Sequence, residues 1–233
     1  MVQHGHFTKY HVGWLGYQRS SKRGTYLTPD VLLVWSEYWK RELLRLGTIF
    51  SENALVVGGY PDRASGQTFA ERISERVVLI PHETDSPKNE VSEYVRAFAS
   101  LPNTVVYLKV RPDIPIAEQL AEYEDTVHAV LRVVSSIREV PEPTLVTGVY
   151  STFLYDMAVR GVPVYLLKTS MDYGEGMVQN GIAGFVSFET LTEVLNEALN
   201  RSAAQKISIQ DRLTSNKDFE KTLLDVLSAR GVL

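Results

Sequence analysis

Short apolar runs alternate with amphipathic stretches along most of the chain, and the alternation predicts its elements in order. Pro29-Asp30 introduces Val31-Leu32-Leu33-Val34-Trp35, which reads as a buried strand. Ser36 then opens a helix with apolar or aromatic residues at Tyr38, Trp39, Leu43, Leu44 and Leu46, and Gly47 stops it. Ala54–Val57 is the next strand, closed by the turn signal Gly58-Gly59-Tyr60-Pro61. A linker with a short helix leads to a second series: a strand over Val77–Ile80, a helix from Ser86-Pro87 through Ala99, and a strand over Thr104–Val110. A helix over about Ile116–Tyr123, a strand over Val127–Val134 and a short helix follow. Thr144–Leu167 then reads as strand, small-residue turn, helix, tight loop and second strand. Ser187–Asn200 and Asp218–Ala229 are amphipathic and helical. Apolar runs without polar alternation mark strands buried on both faces, and helices between them imply parallel pairing. The predicted fold class is α/β, a Rossmann-like doubly wound parallel sheet. The first segment, Met1 to about Thr28, has no clean period and reads as irregular; residues 1–62 and 63–233 are the expected divisions.

Ligands of open α/β sheets bind outside the carboxyl ends of the strands, and that rule orders the polar residues. His82 and Glu83 follow one strand, Lys109, Arg111 and Asp113 a second, and Gly148, Ser151 and Thr152 a third. The third cluster lies where a strand feeds a helix N-terminus, whose unpaired N–H groups and dipole favour an anion. Thr147, Ser151 and Thr152 can add hydroxyls, Gly148 permits close approach, and Asp156 one turn on can meet a sugar hydroxyl. Cations, hydroxyls and a downstream carboxylate on one rim suit a nucleoside diphosphate bearing a sugar. A plain Ser/Thr N-cap explains the same residues without a ligand. His4 can move a proton near neutral pH. Glu83 can act as a base, orient a sugar hydroxyl or cap the helix that follows. Trp35, Tyr38 and Trp39 fit a core better than a sugar-stacking platform. The segment Met171–Met177 is Gly-rich and reads as a flexible loop that can close over a ligand.

Composition narrows the function classes. The chain of 233 residues is 44% hydrophobic and 22% charged, enough for a sizeable core. Its net charge of -4, with both signs interspersed, argues against nucleic acid as a partner. Cysteine is absent, which removes disulfides, thiolate catalysis and Cys-bound zinc, and a reducing cytoplasm is the default expectation. His4-x-His6 without a fixed carboxylate is a poor ligand set, so no metal site is expected. No apolar run approaches the roughly 18 residues of a membrane span, and Met1–His6 lacks the pattern of a signal peptide.

Gln3-His4-Gly5, then Val34–Trp39 after Pro29-Asp30, then Val56–Pro61 follow an order that resembles the GT-B glycosyltransferases of bacterial surface-polysaccharide synthesis. Capsule and teichoic-acid polymerase relatives belong to that group. Ser151-Thr152-Phe153-Leu154-Tyr155-Asp156-Met157-Ala158 is similar to its Ser-Thr-x-x-x-(Glu/Asp)-Ala segment, and Lys109-Val110-Arg111-Pro112 to its Lys-x-His-Pro segment. The resemblance implies that 1–62 lines a cleft and 63–233 binds a nucleotide sugar for transfer to a glycan acceptor, with no further cofactor. Together with the strand-end residues, it makes His4 and Glu83 the catalytic candidates and Gly5, His82, Lys109, Arg111, Gly148, Ser151, Thr152 and Asp156 the binding ones. Arg111 replaces the usual histidine, which suits a fixed cation better than a proton carrier. Such enzymes carry an acceptor domain before the Gln-His-Gly segment, so the chain is expected to be a carboxyl-terminal half completed by an N-terminal half or partner subunit. The expected location is cytoplasmic, peripheral to the inner membrane face. A nucleotide-sugar 2-epimerase and a non-catalytic nucleotide-sugar-binding module are the alternatives.

Overall fold

Every strand that the apolar runs predict is formed, and every strand pairing among the described residues is parallel. The computed structural model describes residues 1–3, 30–61, 68–123, 125–200 and 203–232. The chain divides into two units: Met1–Arg63 with Ser208–Leu233, and Ala64–Ile207.

In the first unit β1 (Leu32–Val34) leads through α1 (Glu37–Leu46) to β2 (Leu55–Val57), its parallel neighbour. Met1–Gln3 lines the other edge of β1, where Gln3 N–H donates to the Leu33 carbonyl at 2.8 Å and Leu33 N–H to the Met1 carbonyl at 2.9 Å. Gln3 is fully buried because both of its carbonyls serve Trp35: the side-chain oxygen accepts the main-chain N–H at 3.0 Å, the main-chain oxygen the indole N–H at 3.1 Å. Trp35, Trp39, Tyr38 and Tyr60 meet edge to face, with centroids 4.9–5.6 Å apart. The first three are buried, so they form a core; such aromatic pairs add about 0.5–1.5 kcal/mol each beyond area burial. Gly47 ends α1 at φ +83°, a left-handed turn that costs glycine little.

The second unit is one sheet with its connecting helices. In chain order these are β3 (Arg76–Pro81), α2 (Lys88–Ala99), β4 (Thr104–Lys109), α3 (Ile116–Ala121), α4 (Asp125–His128), β5 (Leu131–Val134), β6 (Leu145–Gly148), α5 (Thr152–Val159), β7 (Val164–Leu167), α6 (Glu175–Gln179), β8 (Gly184–Val186) and α7 (Leu191–Leu199). The strand order is β5-β4-β3-β6-β7-β8. The chain steps outward from β3 to β5, then returns to the other side of β3, so the order reverses between β3 and β6. Val78, Ile80, Val106, Leu108, Leu145 and Leu167 share a core with Val91, Tyr94, Val95 and Phe98 of α2 and Leu191 and Leu195 of α7. The alternate residues Leu79, Val146, Val164 and Leu166 are buried on the opposite face. Right-handed crossovers in opposite directions put α5 on that face.

Two expectations change. Residues 125–128 are helical rather than the start of β5, and that turn carries Val127 into the core with Tyr123 and Leu131. Part of the glycine-rich segment 171–177 is α6, and the three-residue strand β8 was too short to show a period. After α8 (Ala203–Leu213) the chain turns into α9 (Phe219–Ala229), where the Asp218 side chain accepts the Lys221 N–H at 2.9 Å. Gly59, at φ +96°, lies against this returning segment: a Cβ there would meet the Lys217 carbonyl oxygen at 2.3 Å.

Candidate functional site

The carboxyl ends of β3, β4 and β6 bring three polar segments together, and their arrangement follows from the strand reversal. Pro81 pairs with Lys109 in register, so His82-Glu83 and Lys109–Arg111 leave adjacent strands side by side. Glu83 crosses to the far side of the reversal. Its carboxylate accepts the main-chain N–H groups of Val149 at 2.7 Å, Tyr150 at 2.8 Å and Ser151 at 2.5 Å. It is 4% exposed. Burial pushes this carboxyl above the usual glutamate range, against the pull of the three donors and of Lys88. Gly148 eases the fit, since a Cβ there would lie 3.2 Å from Glu83 Oε1 and 3.3 Å from Pro81 Cγ, closer than ordinary contact. Glu83 therefore caps the turn before α5, and a base would have to leave those three bonds first.

His82 is also turned inward. Its Nε2 meets Glu122 at 3.1 Å, and Glu122 pairs with Lys88 at 2.8 Å. The Lys88 ammonium also donates to the carbonyls of Glu83 and Thr84 and to the Ser86 hydroxyl. Burial first and Lys88 second hold the imidazole below its ordinary range, against the opposing pull of Glu122, so His82 is neutral at pH 7. The buried Nδ1 of His82 and hydroxyl of Tyr123 have no hydrogen-bond partner among the described residues. Their rings meet edge to face at 6.0 Å.

The segment after β4 is turned outward. Arg111 forks onto Asp113 at 3.0 and 2.6 Å at the surface. The Lys109 ammonium donates to the Val110 carbonyl at 2.9 Å and lies 5.9 Å from the Phe153 ring centroid, beside the first turn of α5. It is half-buried, has no carboxylate within ion-pair distance among the described residues, and burial lowers its pKa. Gln119 shapes this loop: its oxygen accepts the Arg111 N–H at 2.7 Å, and its amide donates to the carbonyls of Arg111 and Ile114 at 2.9 and 2.7 Å.

The remaining candidates are spread. Ser151 Oγ accepts the Phe153 N–H at 3.2 Å as the N-cap of α5. Thr152 and Asp156 are half-buried on that helix. Thr147 is 0% exposed and, by strand alternation with Leu145 and Val149, lies on the α2 face, away from α5. His4 and Gly5 lie outside the described residues. At the rim the Tyr150 hydroxyl accepts the Asp85 N–H at 3.2 Å, and its ring meets that of Tyr173 at 5.8 Å. Lys88, Gln119, Glu122 and Tyr150 belong to no motif in the sequence. Gln119, a lone amide among the apolar positions of α3, was the one with a visible signal. No group of three or more His, Asp or Glu side chains suited to a metal occurs among the described residues. None of their helices is long and apolar enough to cross a membrane.

Known structures share this fold. The glycotransferase of kitacinnamycin superposes with a TM-score of 0.58 at 15% identity, covering 87% of this chain and 55% of its own. The calicheamicin glycosyltransferase CalG4 gives 0.55 at 13%, over 88% and 53%. The spinosyn rhamnosyltransferase SpnG, complexed with spinosyn aglycone, gives 0.53 at 19%, over 85% and 57%. The fold matches part of these GT-B glycosyltransferases, and the likeness is one of fold alone. The chain spans a little over half the length of these three proteins. No family model matches the sequence. No curated protein matches it either.

Proposed function

We propose that the chain binds a nucleotide sugar and serves a glycosyltransferase that builds a surface glycan, its acceptor being that glycan. The observation that carries this reading is Lys109, a half-buried ammonium with no carboxylate within ion-pair distance among the described residues, at the strand-end rim beside the start of α5. A buried cation of this kind is stabilised by an incoming anion, and Arg111 two residues on adds a surface guanidinium. SpnG, on the same fold, is known complexed with thymidine diphosphate. In sugar transfer the nucleoside diphosphate leaves with growing negative charge. In this reading Lys109, Arg111 and the hydroxyls of Ser151 and Thr152 neutralise that charge, with no metal ion in the binding step. His4 is the base, since Glu83 is committed to the main chain. Asp156 meets a hydroxyl of the donor.

Calorimetric titration of UDP, TDP, CDP and GDP, with and without chelator, tests the reading. Binding of at least one is expected, insensitive to chelation and weakened about tenfold or more by Lys109→Ala, the scale of one charge-assisted hydrogen bond. No binding by any of the four at millimolar concentration would end it.

A further inference from the structure

We propose that Glu83 excludes phosphate from the main-chain donors at the start of α5 and thereby decides how the β6–α5 turn meets an anion. The proposal rests on the nucleotide-binding reading and concerns the specificity of that same rim. In a doubly wound sheet, the crevice at the strand reversal is where main-chain N–H groups and a helix dipole converge on a ligand's phosphate. Here the reversal lies between β3 and β6, and the N–H groups of Val149, Tyr150 and Ser151 do converge there. They converge on a carboxylate of the chain itself. That carboxylate presents a phosphate's charge and acceptor geometry, is buried, and fits so closely that even a methyl at Gly148 would press on it at 3.2 Å. The three donors are therefore spent. Its negative charge, while the carboxyl is ionised, also repels a second anion at that point. The cations nearby do not release it: Lys88 holds the Glu83 carbonyl and pairs with Glu122, while Lys109 and Arg111 stand on the neighbouring strand end. A phosphate-bearing ligand is consequently held by side chains, those of Lys109 and Arg111 and the hydroxyls of Ser151 and Thr152, while the main-chain donors stay with Glu83.

Inorganic pyrophosphate, UDP and uridine titrated into the wild-type chain, Glu83→Gln, Glu83→Ala and Glu83→Asp test this, with circular dichroism to confirm folding. Glu83→Gln and Glu83→Ala should bind pyrophosphate and UDP about tenfold tighter than wild type, the scale of one charge-assisted hydrogen bond. Glu83→Asp should gain nothing, and uridine should bind all four alike. A folded Glu83→Gln with wild-type affinity for pyrophosphate overturns the proposal. If wild type binds neither phosphate ligand and Glu83→Gln binds both, the nucleotide-binding reading fails for the native chain while the role of Glu83 stands. If wild type binds UDP and the variant gains nothing, the reverse holds. Should the variants not fold, the wild-type amide resonances decide. At saturating pyrophosphate the signals of Val149, Tyr150 and Ser151 should stay in place, and a large shift of all three would show that phosphate has displaced the carboxylate.

Discussion

The segments that follow β3 and β4 leave the sheet side by side, each opening on a cluster of charged and polar residues, yet they use their charge in opposite directions. After β3, His82 and Glu83 turn inward and are consumed by the protein: Glu83 by three main-chain donors, His82 by Glu122. After β4, Lys109 and Arg111 stay at the rim, one against a carbonyl and an aromatic ring, the other paired at the surface. Residues equally suited to bind a ligand have thus been divided between holding the turn before α5 and facing whatever approaches it. The difference teaches that a charge at a strand end is available to a ligand only if the neighbouring turn has no unpaired main-chain donors to claim it.

If the division is real, the inner segment should matter for stability and the outer one hardly at all. Glu83→Ala leaves three N–H groups without their acceptor and should cost about 3 kcal/mol in urea denaturation, the scale of breaking a buried charged network. A cost below about 1 kcal/mol would erase the distinction, because that is what a single ordinary hydrogen bond contributes. Next in size is a pH effect at His82. Its folded pKa lies below the unfolded value of about 6.5, so the unfolded chain takes up the proton more readily. The associated stability is fully present above about pH 6.5 and is lost as the pH falls from there toward the folded value. The melting temperature should drop between pH 7.5 and 5.5, and His82→Gln should flatten that drop; an unchanged slope would remove His82 from the buried network. The smallest effect is expected at Arg111. Its pair with Asp113 is exposed, so Arg111→Ala should stay within the roughly 0.5 kcal/mol scatter of surface substitutions. A larger loss would mean that the outer segment also holds the fold.

Much of the framework was legible because a strand buried on both faces must be apolar throughout, and a helix on such a sheet must carry one apolar stripe. Val77–Ile80 and Thr144–Val149 could be read in that way, as could the stop of α1 at Gly47. Val127 reads as strand from the sequence, because one apolar residue near a run does not distinguish a helical turn from an extended chain. At the rim, the sequence located the segments but not the direction of their side chains. Nothing in Pro81-His82-Glu83 says that the carboxylate will find Val149, which is 66 residues away. Nothing in Thr147 says that its hydroxyl lies on the α2 face, because that depends on the register of β6 beside β3.

The α/β class, the parallel pairing and the polar character of the strand ends can be read along the chain, because each follows from local periodicity and from what can be buried. The strand order β5-β4-β3-β6-β7-β8, the return of Ser208–Leu233 to the first unit, and the capture of Glu83 by the turn before α5 emerge only in the folded molecule. Those features depend on contacts between residues far apart in the chain. Their energies come from burying one particular surface and satisfying one particular set of main-chain donors, and neither exists until the distant segments have met.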